Sequence, residues 1–227
     1  MSSATLAVWR ALRRVFGSGS TEVVALAEAT GEILEGDRIA LTGPSGSGKS
    51  TLLQLIAGLD TPTSGSLTWP ALGNRASLRP GPVGVVFQAQ SLLPPLNVLE
   101  NVALPLLLQG EAQTAADAAA LDALRALDLD DLAAKLPEEL SGGQAQRVAV
   151  ARILASRPRL ILADEPTGQL DHVTASTVID VLLASADATG AALLVNTHDP
   201  AVARRFASHW EMADGHLFTM TTESSRS

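Results

Sequence analysis

The chain is predicted to adopt an α/β fold in which helices cover a mainly parallel sheet. Short apolar runs that suit buried strands alternate along the sequence with helix-periodic segments, and this alternation is typical of parallel sheets. A glycine-rich loop also joins one such strand directly to a helix. The block at 91–136 is mostly helical and interrupts the alternation, so we expect it to belong to a subdomain inserted into the core.

The first predicted elements surround the glycine-rich loop. A turn at 17–20 separates two short strand-like pieces, and an apolar strand at 38–42 leads through the loop into a helix at 50–58. Further on, the sequence predicts a strand at 81–87, a helical segment at 111–127, a helix from the glycine turn at 141–143 to about 156, a strand at 160–163, a helix at 173–186 and a strand at 192–196.

Composition excludes several classes of function. The 227 residues include 24 acidic and 16 basic ones, a net charge of −8, whereas binding to nucleic acid or anionic lipid needs a basic face. The absence of cysteine excludes thiol catalysis, cysteine–zinc sites and disulfide scaffolds. The longest charge-free run, 80–99, contains prolines and amide side chains and is not expected to span a bilayer. We therefore expect a soluble chain with no nucleic-acid partner.

A phosphate-binding loop is predicted at 43–50, where GPSGSGKS satisfies the pattern G-x-x-x-x-G-K-[ST] between a strand and a helix. Glycines let backbone N–H groups surround phosphate oxygens, Lys49 would reach the β and γ phosphates, and the Ser50 hydroxyl would bind Mg²⁺. A flexible turn is the alternative. The residues expected to contact the nucleotide here are Gly43, Pro44, Ser45, Gly46, Ser47, Gly48, Lys49, Ser50 and Thr51.

Two acids end the apolar strand of the segment LILADEP. Asp164 is expected to hold Mg²⁺ through water, and Glu165, at the start of the turn, to act as general base on the attacking water. Taken alone, the pair could be a solvated acidic turn closed by Pro166. The phosphate loop elsewhere in the chain favours the catalytic interpretation.

A second candidate anion site is the helix start in LSGGQ. Ser141 and Gln144 fit a capping box, which by itself would only start a helix. Gly142 and Gly143 cost helix propensity, but they leave N–H groups open to an anion. Because the chain already has one phosphate loop, we expect this site to serve the nucleotide bound by another copy.

Together, GPSGSGKS, LSGGQ and ILADEP resemble the nucleotide-binding subunits of ATP-binding cassette (ABC) transporters, over nearly the whole chain. The resemblance implies a P-loop NTPase (RecA-like) core with a small antiparallel β subdomain and an inserted α-helical subdomain. It implies one ABC ATPase domain over 1–227, with its core at about 1–90 and 151–218, the helical subdomain at about 91–150, and a frayed Ser/Thr-rich tail at 219–227.

The same resemblance implies four further site residues. Gln88 matches the glutamine that senses Mg²⁺ and the γ phosphate, Asp171 the aspartate that contacts the opposite subunit, and His198 the histidine that hydrogen-bonds the γ phosphate. Phe16 resembles the aromatic residue that stacks on adenine, although it could be core and Trp9 is an alternative. Asp171 could also simply cap the helix that follows it.

The segment FQAQSLLPPLNVLENVALPLLL, the lead-in LPEELSGGQ and the ending THDPAVARRF resemble the lipoprotein-releasing and macrolide-exporter branch. The stretch after Gln88 is interpreted as a groove for a coupling helix of a transmembrane permease, or in part as ordinary core. The resemblance implies a cytoplasmic protein at the inner face of the plasma membrane, which contacts the membrane only through that partner.

The implied mechanism is head-to-tail closure of two copies, or of this chain and a paralogue, around two Mg-ATP, followed by hydrolysis to ADP and phosphate. One alternative is an ATPase that signals through a permease-like partner in cell division or envelope maintenance. Another is a DNA-repair ATPase, which the acidity and the short length disfavour. A P-loop kinase or GTPase is disfavoured by LSGGQ and His198.

Overall fold

A computed structural model of the chain describes residues 3–87, 91–168 and 170–221. The strands within these ranges are β1 (Thr5–Phe16), β2 (Val23–Leu34), β3 (Arg38–Thr42), β4 (Ser64–Thr68), β5 (Val83–Val86), β6 (Leu160–Asp164), β7 (Ala192–Asn196), β8 (Ser208–Ala213) and β9 (His216–Thr221). The α-helices are α1 (Lys49–Ile56), α2 (Val98–Leu108), α3 (Gln113–Arg125), α4 (Gly142–Ala155), α5 (His172–Thr189) and α6 (Pro200–Ala203).

The strands form one sheet in the order β4-β1-β2-β9-β8-β3-β7-β6-β5. Strands β8, β3, β7, β6 and β5 run parallel to one another, whereas β1 pairs antiparallel with β2 and β4. The pair Glu28 and His216 joins β2 to β9, which is antiparallel to β8. The predicted α/β core and its antiparallel β subdomain are therefore both confirmed.

Two apolar layers cover the two faces of the parallel strands. Because successive side chains of a strand point to opposite faces, Ile39 and Leu41 enter one layer and Ala40 the other. The layer with Ile39 and Leu41 contains α1 and the inner face of the antiparallel strands. The other layer contains α2 to α5, of which α2 and α3 lie in the predicted helical block.

Some element boundaries differ from those expected. Residues 219–221 were expected to belong to a frayed tail, but Thr219 pairs with Trp210 and Thr221 with Ser208 as part of β9. This expectation is wrong for these three residues because cross-strand hydrogen bonds outweigh their loop-like composition. The expected subdomain boundary at residue 150 lies inside α4, which is continuous.

Strand β5 packs so closely against α4 that only glycine fits at position 84. A Cβ added to Gly84 would lie 2.4 Å from Cγ2 of Ile153 and 2.9 Å from Cγ of Pro158. We expect Gly84→Val to lower the free energy of unfolding by about 1–3 kcal/mol through overpacking, although valine is the better strand former. Chemical denaturation would measure this.

Glu211→Val, at an exposed position of β8, is the matched control and should leave stability within about 0.5 kcal/mol. An unchanged or raised stability of Gly84→Val would contradict the packing described.

Candidate functional site

The carboxyl ends of β3, β7 and β6 meet at one edge of the sheet. Strand β7 lies between the other two, so the segments that follow the three strands become neighbours. They border a cavity of about 530 Å³ at the position where open parallel sheets bind ligands. Its lining residues are Val23, Val24, Ala25, Gly43, Ser45, Gly46, Gly48, Lys49, Ser50, Thr51, Glu165, Asn196 and His198.

The loop between β3 and α1 needs glycine at its two ends. Gly43 has φ 133° and Gly48 has φ 102°, both in the left-handed region. A Cβ at Gly43 would lie 2.1 Å from the Met212 carbonyl oxygen, and one at Gly48 would lie 2.3 Å from that of Ala25. Neighbouring backbone therefore shapes the loop. Pro44 and Ser47 belong to it without lining the cavity.

Gly48 is also the N-cap of α1, and no side-chain hydrogen bond caps that helix. Its first N–H groups thus remain available to an anion at the cavity. Lys49 is buried, and its ammonium donates hydrogen bonds of 2.8 Å to the carbonyl oxygens of Gly43 and Pro44. An ammonium has three N–H donors, so one is left for a phosphate oxygen.

Asp164 is not one of the residues that line the cavity. It is the last residue of β6, and its carboxylate accepts a hydrogen bond from the side-chain amide of Asn196, which does line the cavity. The backbone carbonyl of Asn196 also accepts a 3.0 Å hydrogen bond from the N–H of Glu165. Asn196 therefore contacts both predicted acids.

Glu165 adopts a backbone conformation that is rare for a residue with a side chain. Its φ is 50°, a left-handed value, and such residues concentrate at functional sites. Its carboxylate is 15% exposed and lies 2.5 Å from Nδ1 of His198, which is 69% exposed. Because a carboxylate only accepts, the proton of this hydrogen bond belongs to Nδ1. The structure thus brings together the predicted base and the histidine that is predicted to hydrogen-bond the γ phosphate.

Phe16 lies beside the cavity and is not one of its lining residues. It is the last residue of β1, pairs across the strands with Val23 and is 40% exposed. The guanidinium carbon of Arg14 lies 4.4 Å from the centroid of its ring, and Arg14 also forms a 2.7 Å ion pair with Asp60. Adenine stacking by Phe16 stays a prediction. Val23 and Val24 are exposed apolar residues that do line the cavity.

The LSGGQ segment forms the predicted capping box. The N–H of Gln144 donates to Oγ of Ser141 at 3.2 Å, and Oε1 of Gln144 accepts from the N–H of Ser141 at 2.9 Å. Gly142 is the first residue of α4. The residues 141–144 do not line the cavity of their own chain.

Asp171 caps α5. Its Oδ1 accepts hydrogen bonds of 3.0 Å from the N–H groups of Val173 and Thr174, and its Oδ2 accepts one of 2.7 Å from the Thr174 hydroxyl. These hydrogen bonds, those from Thr174 foremost, lower the pKa of Asp171 below its ordinary value. In the single chain Asp171 therefore acts as a helix cap, which was the alternative interpretation. Its contact with an opposite subunit stays a prediction.

Comparison with known proteins now adds to this geometry. Residues 26–168 match the family model described as ABC transporter, which is more than half of the chain.

The chain belongs to the ABC transporter family.

A curated relative of this ABC ATPase is the lipoprotein-releasing system ATP-binding protein LolD of Legionella pneumophila (strain Paris). The two are 43% identical over 214 residues, which cover 91% of this chain and 94% of that protein. The resemblance to the lipoprotein-releasing branch is therefore confirmed.

Two solved structures are similar along almost the whole chain. The dimeric structure of MJ0796, a bacterial ABC transporter cassette, matches with a TM-score of 0.90 at 34% identity. The dimeric post-hydrolysis state of MJ0796 bound to ADP and Pi matches with a TM-score of 0.89 at the same identity. Each match covers 97% of this chain and 100% of the other. The predicted ATP-hydrolysing cassette is thereby confirmed.

Gln88 lies outside the described residues, so its expected role stays a prediction. The described residues on either side of 88–90, Phe87 and Ser91, both contact α4. The Gln146 amide donates to the Phe87 carbonyl at 3.3 Å, and the Arg152 guanidinium donates to the carbonyl and hydroxyl oxygens of Ser91 at 2.8 and 2.6 Å. Burial lowers the pKa of Arg152 below its ordinary value. Helix α4 of this ABC ATPase therefore links the LSGGQ segment to Phe87 and Ser91.

A mainly apolar groove of about 350 Å³ lies beside these flanks, between β5, α2 and α4. Leu59 and Leu108, both exposed, and Phe87, Leu104 and Ile153 are among its lining residues. None of the helices within the described ranges is long and apolar enough to cross a membrane.

Sequence reasoning missed Val23, Val24, Ala25 and Asn196 as lining residues of the ABC cassette. The two valines and the alanine carry no motif, and their place depends on how β2 folds over the loop. Asn196 carried a usable signal, because it is a polar residue that ends the otherwise apolar strand ALLVN.

Proposed function

We propose that this ABC ATPase binds Mg-ATP in the cavity and closes head to tail with a second copy, or with a close paralogue, to drive a separate transmembrane permease. Each ATP would lie between the 43–50 loop of one chain and the Ser141 helix start of the other. The observation that carries this proposal is that the two predicted phosphate-binding segments of one chain do not line the same cavity. The cavity is lined by residues of the 43–50 loop, by Glu165 and by His198, whereas the helix start at Ser141 lies outside it.

The residues present fit a magnesium ion. Mg²⁺ takes oxygen ligands, often one or two carboxylates together with substrate phosphates and water. The Ser50 hydroxyl on the cavity wall supplies one such oxygen, and the Asp164 carboxylate, which is hydrogen-bonded to the wall residue Asn196, supplies another. The resemblance adds Gln88. Within the described residues no group of three acidic, histidine or cysteine side chains could hold a metal. When bound, the ion neutralises charge on the phosphate oxygens.

Glu165 is the proposed general base. A water between its carboxylate and the γ phosphate would attack phosphorus, pass a proton to Glu165 and displace ADP through its β-phosphate oxygen. The contact with Nδ1 of His198 and the N–H contact with Asn196 hold this carboxylate in place. Lys49 and the N–H groups of the loop and of α1 would stabilise the negative charge of the phosphates.

Helix α4 is the proposed route from the nucleotide to the permease. Its first residues would contact the partner's nucleotide, and its Gln146 and Arg152 donate hydrogen bonds to Phe87, which lines the apolar groove, and to Ser91. The groove would receive a cytoplasmic helix of the permease through its apolar face. With a cytoplasmic helix of the permease in the groove, the chain would lie at the cytoplasmic side of the plasma membrane, held there by its partner. The related LolD is named as the ATP-binding protein of a lipoprotein-releasing system, which supports a partner of the permease class.

Replacing the proposed base should separate hydrolysis from binding. We expect Glu165→Gln to lower the steady-state ATPase rate by about 10²–10⁴-fold, because the amide cannot accept the proton of the attacking water. The affinity for ATP should stay within a few-fold of that of the parent protein. Phosphate release and fluorescent-nucleotide titration would measure the two quantities.

Glu111→Gln, an exposed substitution before α3, controls for the loss of one negative charge and should hydrolyse ATP normally. Undiminished hydrolysis by Glu165→Gln would disprove its assignment as base.

Placing a charge in the groove should disrupt permease coupling alone. Leu108, at the end of α2, is 64% exposed. We expect Leu108→Glu to abolish co-purification with the membrane partner, because burying an unpaired carboxylate is costly. Basal ATPase activity should remain. Detergent pull-down with mass spectrometry measures the association.

Phe218→Glu changes an exposed apolar residue on β9 and should leave the association intact. If Leu108→Glu retains its partner as well as Phe218→Glu does, the groove is not the docking site.

A further inference from the structure

Asn196 stands next to Asp164 because of strand register. The two are partners across parallel strands β6 and β7, and each is the last residue of its strand. Residues in register on adjacent strands point to the same face of a sheet. Asn196 is 1% exposed, and it lines the nucleotide cavity while Asp164 does not. Any group in the cavity that interacts with Asp164 therefore lies close to Asn196.

The orientation of the Asn196 amide follows from its partner. The Asp164 carboxylate can only accept hydrogen bonds, so the Asn196 group that faces it must be Nδ2. Oδ1 is consequently turned away from Asp164. The same residue accepts the Glu165 N–H at its backbone carbonyl, which fixes Asn196 from a second side.

Oδ1 of Asn196 is a buried acceptor with no hydrogen-bond partner among the residues that the structure describes. Leaving such an acceptor unpaired costs free energy. A valine or leucine would continue the apolar run of β7 without that cost. Both the unpaired acceptor and its place on the cavity wall indicate a polar ligand group that comes with the nucleotide.

We propose that Asn196 is a positioning residue of the metal site. Its Nδ2 holds the Asp164 carboxylate in one orientation, and its Oδ1 accepts a hydrogen bond from a water bound to the Mg²⁺ of Mg-ATP. Carboxylates that bind metals are commonly held by hydrogen bonds of this kind. The inference rests on the proposed function, which places the ion near Ser50 and Asp164.

The test measures metal affinity rather than turnover. Mn²⁺ would be titrated by electron paramagnetic resonance into the full chain with saturating ATP, in the Glu165→Gln background to prevent hydrolysis. Asn196→Val removes both hydrogen-bonding groups, and we expect it to weaken Mn²⁺ binding about 10–100-fold. ATP binding in excess chelator should change less than about twofold, because the loss lies in the metal contacts.

Two further variants make the result interpretable. Asn196→Leu keeps the branching of asparagine at Cγ and should give the same loss, which covers the case in which the valine variant does not fold. Thr42→Val is the matched control, because it removes one polar group at the end of neighbouring β3, where the hydroxyl donates to the Trp210 carbonyl at 3.2 Å. It should leave Mn²⁺ affinity unchanged.

A purely structural role would lower the melting temperature of Asn196→Val while leaving Mn²⁺ affinity at the parental value, and that result overturns the inference. Asp164→Asn separates this failure from failure of the proposed function. If Asp164→Asn weakens Mn²⁺ binding and Asn196→Val does not, only the role of Asn196 is wrong. If neither weakens it, the proposed metal site is wrong, and the role of Asn196 is wrong with it.

Discussion

The register of β7 between β3 and β6 is the constraint on which the site depends. Backbone pairing sets Asn196 opposite Leu41 on one side and opposite Asp164 on the other. A slip of one residue would turn every side chain of β7 to the other face, moving Asn196 away from Asp164 and apolar Val195 into its place. Three segments distant in sequence thus form one site through the hydrogen bonds between paired strands.

The charged side chains beside these strands already have hydrogen-bond partners within the chain. The Lys49 ammonium has two carbonyl partners, and the Glu165 carboxylate has His198 beside it. Fixed donors and acceptors stabilise a reacting phosphate more effectively than mobile ones, because they need not reorganise during the reaction. The left-handed backbone of Glu165 is the local cost of directing that carboxylate into the cavity.

Local signals carried most of what the sequence could predict. The strands 38–42 and 192–196 have the predicted bounds, and the loop, the two acids and the Ser141 cap occupy the expected elements. The β8–β9 hairpin was missed although its two-residue turn, Asp214-Gly215, is a local signal. The contact between Asn196 and Asp164 was missed because it depends on the pairing of strands that are distant in sequence. The expected contact of Phe16 with adenine and that of Asp171 with an opposite subunit do not follow from the fold of one chain. Each depends on a molecule outside the chain, the nucleotide for Phe16 and the second subunit for Asp171.

The most direct test of the two-chain site is sedimentation velocity of the Glu165→Gln protein with Mg-ATP. Two double variants are compared with it, one that also carries Ser141→Asp and one that also carries Ser141→Asn. Aspartate and asparagine both cap helices well, so α4 should start normally in each, but only the aspartate places a negative charge where the partner's phosphates would lie. The two-chain site predicts an ATP-dependent dimer for Glu165→Gln and for the asparagine variant, and a monomer with normal ATP binding for the aspartate variant. Equal dimerisation of both variants, or a Glu165→Gln protein that stays monomeric with saturating Mg-ATP, would contradict it.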